Sequence, residues 1–224
     1  MKMEEKDIMT AMAERNSVRS YSDKTIPEDV RKELNALIDE CNREGGLHIQ
    51  MENDAPGVFD GFLARSFSGV SDYIALIGKK SEDLDLRIGY YGEKIALRAQ
   101  QLGLNTCWVA LTYSKKKMRC TIQGDEKVVC VLALGYGTTQ GTKHTSKPAE
   151  ELGKCDGEWP SWFRKGIEAS MLAPTAMNKQ KFRFVLTDGK VKAEDLGGSY
   201  SKVNLGIAKL HFELGAGKDN FQWA

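Results

Sequence analysis

Histidine is scarce in this chain, with three in 224 residues. His48, His144 and His211 are far apart and lack metal-site spacing. Cysteine offers no alternative. Cys41, Cys107, Cys120, Cys130 and Cys155 are odd in number and scattered, and none forms a CxxC pair. That pattern excludes a disulfide framework and a zinc site, and reads as reduced thiols in a cytoplasmic protein. No segment approaches the roughly 20 unbroken apolar residues of a membrane helix. The opening stretch MKMEEKDIMTAMAERN is too acidic and too interrupted to read as a signal peptide. Charge of one sign is missing too: 32 Lys plus Arg face 31 Asp plus Glu, a net charge of +1. This near balance argues against a nucleic-acid or membrane-surface binder, whose basic excess would be larger. No Ser-His-Asp or Cys-His pattern offers a nucleophile.

What is present is ordinary soluble composition, 41% hydrophobic and 28% charged, and enough chain for one large domain or two small ones. Residues 3–14 read as a helix with Ile8, Met9, Met12 and Ala13 on one face. Thr25 and Glu28 have capping-box spacing, with Pro27 in the first turn of a helix reaching about Arg43. Val30, Leu34, Leu37, Ile38 and Cys41 form its stripe, and Gly45-Gly46 ends it. LHIQME alternates like a short strand. Residues 53–69, rich in Gly and polar groups, read as an exposed excursion. DYIALIGK (72–79) and KVVCVLALG (127–135) are strands suited to burial on both faces. Between them come a long helix over 84–102 and a strand, LNTCWVAL. Residues 115–120 read as a short basic helix and 135–150 as a basic loop. A helix over 161–172 precedes a strand, 182–186, whose Asp188-Gly189 turn leads into KVKA. A helix over 202–214 and an edge strand in NFQWA complete the chain. Helices and strands mix without strict βαβ alternation, which predicts an α+β fold with a mixed sheet under helices. EKIALRAQQLGLNTCW and LGIAKLHFELGAG share a shape, each an apolar helix ending near a Gly, as any amphipathic helix can.

Three stretches carry candidate chemistry. In RNSVRSY, Arg15, Ser17 and Arg19 alternate, so two guanidinium forks and a hydroxyl fall on one side of an extended segment. Such groups suit phosphate oxygens. The competing reading is a solvated loop in which Arg15 caps helix-terminal carbonyls. VLALGYGTTQG follows a strand with G-x-G, as nucleotide and methyl-donor sites do. Its third glycine, Gly141, comes one residue too late for the dinucleotide fingerprint, and the sequence after it is a poor helix. Lys143, His144 and Lys147 in this loop could lend charge to a phosphate or simply be solvated. In LAPTAMNKQKFRF, the Asn178 amide offers donors and an acceptor that match a flat heterocycle bearing an N–H between two carbonyls. Thr175 or Asn178 capping a local turn explains the same residues.

Taken together, these stretches resemble the FMN-dependent nitroreductase family. RNSVRSY is similar to its Arg-x-Ser-x-Arg/Lys phosphate motif, and LAPTAMNKQKFRF to its Ala-Pro-Ser-x-x-Asn-x-Gln-Pro-Trp motif. GEKIALRAQQLGLNTCWVAL resembles its long helix and Gly-Leu-x-Thr segment, VLALGYG its Leu-Gly-Tyr-Pro strand end, and TSKPAEEL its Lys-Pro tail. The matches run from about residue 12 to residue 184. Their order departs from ordinary members, because the Pro-Thr-x-x-Asn segment follows the Gly-Tyr-Gly loop. That layout looks like the branch in which one chain holds two nitroreductase-like halves. The expected halves are 1–152, with the phosphate motif, and a smaller 153–224, packed as one globular unit. Lys181-Phe182 replaces Pro-Trp, Tyr136-Gly137 replaces Tyr-Pro, and Thr175 replaces Ser.

The resemblance implies a site. Arg15 and Ser17 would hold the FMN phosphate, and Arg19 the ribityl chain and pyrimidine edge. Pro174, Thr175 and Asn178 would line the flavin edge. Asn105, Thr106 and Trp108 would sit near the ring, with Lys143 and Lys147 as further phosphate contacts. It implies ping-pong electron transfer from NADH or NADPH to a nitroaromatic or quinone, with the flavin carrying the chemistry, and a homodimer. The alternatives are a flavin-binding protein with little turnover, since Lys181-Phe182 could alter the substrate face, and a methyltransferase-like enzyme using LGYGTTQG.

Overall fold

The computed structural model of the chain describes residues 6–60 and 66–224. The fold is α+β, as expected, and its strands form two four-stranded sheets. The chain divides into two compact units, Met1–Leu84 with Ile95–Lys143, and Asp85–Lys94 with His144–Ala224. This division falls between Lys143 and His144, earlier than residue 152, and it assigns the middle of one long helix to the second unit.

The first unit holds helix α1 (Ile8–Glu14), helix α2 (Glu28–Gly45) and strands β1 (Gln50–Glu52) and β2 (Asp72–Lys79). It also takes the ends of helix α3 (Leu84–Gln101), and strands β3 (Asn105–Val109) and β4 (Glu126–Gly135). Its sheet runs β1-β2-β4-β3 and every pair is antiparallel. Tyr73, Ala75, Ile77, Cys107, Val109, Val131 and Ala133 pack in one cluster on one face. Their neighbours Ile74, Leu76, Leu132 and Leu134 are also buried, so the central strands are covered on both sides, as their unbroken apolar runs require.

Several local expectations give way to side-chain chemistry. Helix α1 starts at Ile8 because the Asp7 carboxylate accepts the Met9 and Thr10 N–H groups, 2.9 and 3.1 Å away. Residues 3–5 of the expected helix lie outside the described residues. The Thr25–Glu28 capping box does not form. Pro27 is the N-cap and Glu28 already the first helical residue, so Thr25 stands too early to cap. Gly46, at φ +57°, ends α2 in the left-handed conformation. The expected excursion at 53–69 is not simply exposed, although 61–65 lie outside the described residues. Ala55, Val58 and Phe59 are buried in the face cluster, with Phe67 and Val70 packed against it. The basic helix at 115–120 shrinks to one 3-10 turn, Lys115–Lys117. Three adjacent cations supply no apolar stripe to hold a longer helix.

The second unit holds the middle of α3, helix α4 (Ala149–Leu152), strand β5 (Gly153–Cys155) and helix α5 (Ser161–Ser170). Strands β6 (Phe182–Thr187) and β7 (Lys190–Asp195), helix α6 (Ser201–Ala216) and strand β8 (Gln222–Trp223) follow. The sheet order is β5-β6-β7-β8, with β5 parallel to β6, β6 antiparallel to β7, and β7 parallel to β8. Asp188 and Gly189, both at positive φ, make the expected hairpin turn. The core is aromatic: Phe163, Phe182, Phe184 and Phe212 are fully buried, and the Phe184 and Phe212 rings stack with centroids 4.5 Å apart.

Helix α6 is buried along nearly its whole length. A Cβ on Gly206 would lie 2.0 Å from the Leu86 carbonyl oxygen, and one on Gly89 would lie 2.0 Å from the Val203 carbonyl oxygen. Helices α3 and α6 therefore cross backbone to backbone through two glycines. Gly215 repeats the device against α5, where a Cβ would meet the Lys165 carbonyl oxygen at 2.5 Å. Beside the first crossing, the buried His211 ring sets Nε2 3.0 Å from a Glu93 carboxylate oxygen and Nδ1 3.2 Å from the Ala169 carbonyl. Gly206→Ala should destabilise the protein by about 3 kcal/mol, because backbone cannot move aside as a flexible side chain can. The midpoint of urea unfolding measures this, and an unchanged midpoint would show that the two helices are not in such close contact.

Candidate functional site

In the first unit, the segment after α1 runs beside the free edge of β3. Ser17 bridges Thr106 in parallel, and the Val18 N–H donates to the Thr106 carbonyl at 3.1 Å. Arg15, the C-cap of α1, is buried, Ser17 is half-buried and Arg19 is exposed. These three residues surround one thiol. Burial pushes the Cys107 thiol up, while the Arg19 charge, a Ser17 hydrogen bond and the Arg15 charge pull against it.

The opposite flank is the loop after β4. Asn105 is committed to it, accepting the Gly137 N–H at 2.9 Å and donating to the Gln140 side-chain oxygen at 3.1 Å. The Asn16 amide donates to the Gln140 carbonyl at 3.2 Å. A Cβ on Gly141 would lie 2.8 Å from the Asn16 Cβ and 2.9 Å from the Ser17 carbonyl oxygen. Gly141, at φ +71°, thus serves this close approach and not a dinucleotide fingerprint. Thr106 points to the sheet face opposite Cys107, together with the half-buried Trp108. The Thr106 hydroxyl is buried and has no hydrogen-bond partner among the described residues. Lys143, at the end of the same loop, is exposed.

The second unit contains the turn after α5. Met177, Asn178 and Gln180 all have positive φ, at 52°, 53° and 44°, unusual for residues with a Cβ. A polar network holds them there. The Gln180 N–H donates to the Thr175 hydroxyl at 3.0 Å, and the Asn178 N–H to the Thr175 carbonyl at 2.9 Å. The buried Gln180 side chain accepts the Lys147 N–H at 2.7 Å and donates to the Met171 carbonyl at 2.9 Å. The Asn178 side-chain amide donates to the Thr145 carbonyl at 2.8 Å. From α6, the Asn204 side-chain oxygen accepts the Ala176 N–H at 2.9 Å. The Lys147 ammonium lies 3.6 Å from the Glu151 carboxylate.

The turn therefore uses a Thr175 lone pair and an Asn178 amide proton internally. The Thr175 hydroxyl proton and the Asn178 side-chain oxygen are still available as one donor and one acceptor. Pro174 leads into the turn and is half-buried. Of the two residues that depart from the family motif, Phe182 is fully buried against Phe184 and serves the core, while Lys181 is exposed.

The structure adds Gln180, Asn204 and Gln140 to the residues read from sequence. Gln180 lies within the Asn-x-Gln stretch and could have been singled out there. Asn204 and Gln140 act through contacts that no local pattern reports.

The chain matches the family described as "Putative TM nitroreductase" over residues 7–216, and it belongs to that family. Among solved structures it is similar to a putative nitroreductase of Thermotoga maritima. The TM-score is 0.69 at 22% identity, covering 98% of this chain and 88% of the other. A nitroreductase family protein of Streptococcus pneumoniae gives a TM-score of 0.52 at 12% identity, covering 65% of this chain and 98% of its own. A putative NADH oxidase of Clostridium acetobutylicum gives 0.51 at 16% identity, covering 63% and 96%. These likenesses establish the fold. No curated protein matches the sequence.

An unpartnered buried hydroxyl costs about 1–3 kcal/mol in the free protein. Thr106→Val removes it at nearly constant shape, so the free protein should gain about 1 kcal/mol. A thermal melt of ligand-free protein checks this, and a loss of stability would mean that the hydroxyl is already satisfied.

Proposed function

We propose that the protein is an FMN-dependent oxidoreductase that takes electrons from NADH or NADPH and passes them to a nitroaromatic, quinone or similar acceptor. Family membership supports the general kind of chemistry, since the relatives of this fold are named as nitroreductases and an NADH oxidase. The observation that carries the cofactor is the Arg15-Ser17-Arg19 segment, which runs along the free edge of β3 and brings two cations and a hydroxyl to act on one thiol, Cys107. A dianionic phosphate suits such groups: two guanidinium groups would supply charge-assisted hydrogen bonds and the Ser17 hydroxyl a further one.

In this reading Arg15 and Ser17 would hold the phosphate, and Arg19, exposed at the end of the segment, would meet the negative charge that gathers on the reduced ring. A cation there would favour the reduced form. The hydroxyl proton of Thr175 and the side-chain oxygen of Asn178 match the alternating acceptors and donor of a pyrimidine edge. Lys143 and Lys147 are supplementary cations, and Lys147 contributes less because Glu151 shares its charge. FMN held there would supply the two-electron chemistry between a nicotinamide donor and the acceptor. The chain's residues bind and orient, and no side chain need act as nucleophile.

The purified protein should be yellow with an oxidised-flavin spectrum, or become so on adding FMN and desalting. The colour should bleach anaerobically with NADH or NADPH and return with a nitroaromatic. A colourless protein that refuses FMN would end this reading, and one that binds FMN without bleaching would leave a flavin carrier. Arg15→Ala combined with Arg19→Ala should weaken FMN binding at least a hundredfold, because two charge-assisted contacts are lost. Fluorescence titration of the apoprotein measures this, and unchanged retention would remove these residues from the site.

A further inference from the structure

The turn at 174–180 is held in a conformation its sequence resists. Three of its residues sit at positive φ although each carries a Cβ. Met177 is also 86% exposed, so no packing of its own side chain keeps it there. Left-handed backbone at such residues persists only where the surroundings over-determine it, and it clusters at ligand-binding positions. The surroundings here are of two kinds. Gln180, Thr175 and the 145–147 segment act along the turn and its neighbour. Asn204 acts from behind, from a helix 28 residues further along the chain.

Asn204 differs from an ordinary core residue in two ways. It is 5% exposed on a helix whose buried residues are otherwise nearly all apolar, so an amide there needs a polar partner. Its oxygen accepts the N–H of Ala176, the residue between the Thr175 hydroxyl and the left-handed pair Met177 and Asn178. Fixing that one peptide sets where the Thr175 hydroxyl and the Asn178 side-chain oxygen stand relative to each other. Helix α6 is itself fixed by its glycine crossing with α3, two residues from Asn204. The Asn204 oxygen is therefore a rigid reference point, and the turn is the element that would otherwise relax.

We infer that Asn204 is a positioning residue for ligand recognition, holding the 174–178 turn so that Thr175 and Asn178 present a donor and an acceptor to the edge of a flat heterocycle. This inference rests on the flavin reading above. Asn204 itself touches no ligand. Its contribution is the energy that keeps a strained turn in one geometry before the ligand arrives, which lowers the ordering cost of binding.

The test uses full-length apoprotein and FMN, with Asn204→Ala, Asn204→Asp and the double variant Asn204→Ala with Met177→Gly. Three quantities are read: amide hydrogen exchange over 174–180, the melting temperature without ligand, and the FMN dissociation constant by fluorescence. Asn204→Ala should speed exchange at 174–180 while leaving β6 and β7 protected, and should weaken FMN about tenfold, the scale of one lost hydrogen bond. Asn204→Asp keeps an acceptor oxygen at the same place and should restore slow exchange and most of the affinity. Met177→Gly relieves left-handed strain, so the double variant should bind more tightly than Asn204→Ala alone, a coupling that a purely structural role would not produce. Wild-type protein that binds FMN while Asn204→Ala binds it equally well overturns this assignment and leaves the flavin reading standing. Wild-type protein that binds no FMN overturns both. An Asn204→Ala variant whose exchange rises throughout α6 and the sheet shows a general core residue and overturns the assignment as well.

Discussion

The second unit depends on the contact between Gly89 and Gly206. Glycine inside a helix costs roughly 0.8–1.0 kcal/mol relative to alanine, and two helices accept that cost here at their point of closest approach. The return is a contact no other residue permits. Each carbonyl oxygen, of Leu86 and of Val203, lies where the opposing Cβ would be. Close backbones gain dispersion along the whole crossing and bring side chains one or two turns away into register. His211 meets Glu93 one and a half turns beyond Gly206, and Glu213 meets Tyr90 about two turns beyond. Glu213 then gathers the C-terminal segment, accepting from the Trp223 indole at 2.8 Å and pairing with Lys218 at 3.0 Å. In this fixed frame the Tyr90 hydroxyl is pushed up to about 12 by burial and by its hydrogen bond to Glu213.

The same helix explains how a strained turn survives. Three residues at positive φ cost of order 1–3 kcal/mol each. Six hydrogen bonds hold the turn, each contributing about 0.5–1.5 kcal/mol net. The two sums are of similar size, so the turn is stable with little margin. In that situation a single well-anchored acceptor matters more than its own energy suggests. The anchors differ in rigidity. Gln180 belongs to the turn and moves with it, whereas Asn204 belongs to a helix buried on nearly every side.

Much of this architecture was legible from periodicity. The runs of β2 and β4 and the helical stripe of α3 are strong because burial on two faces, or on one broad face, leaves a dense apolar signal. The Asp188-Gly189 turn was legible because its backbone needs positive φ. What was hidden follows physical rules of a different kind. The capping box at Thr25 fails because Pro27 takes the cap position, a matter of one residue's register. Residues 53–59 look polar by composition, yet Ala55, Val58 and Phe59 suffice to anchor the segment in the face cluster while Asp54 and Pro56 stay exposed. Helix α4 and strand β5 are too short for any period to declare itself, and the parallel pairing of β5 with β6 depends on where α5 returns the chain. Of the candidate site, the residue types of RNSVRSY and LAPTAMNKQ were visible, and their resemblance to one family gave them joint weight. The commitment of Asn105 to the Gly137–Gln140 loop and the support from Asn204 were not visible, because both are contacts across long stretches of chain.

The two candidate surfaces differ in how much hydrogen-bonding capacity they retain. On one face of β3 the Thr106 hydroxyl is buried without a hydrogen-bond partner among the described residues, and on the other the Arg15-Ser17-Arg19 segment gathers two guanidinium groups near one thiol. That segment becomes more favourable when an anion completes it, so it is suited to provide affinity. The 174–180 turn has spent most of its capacity on itself and leaves one donor and one acceptor outward. With so few free groups it can add little affinity, but their fixed spacing rejects any ligand whose polar edge does not match, because a mismatch leaves a group unpaired. In the proposed flavin reading, affinity and selectivity would then reside on different stretches of the chain. Changes near Arg15 should alter how tightly a phosphorylated cofactor is held, and changes near Asn178 should alter which heterocycle is accepted.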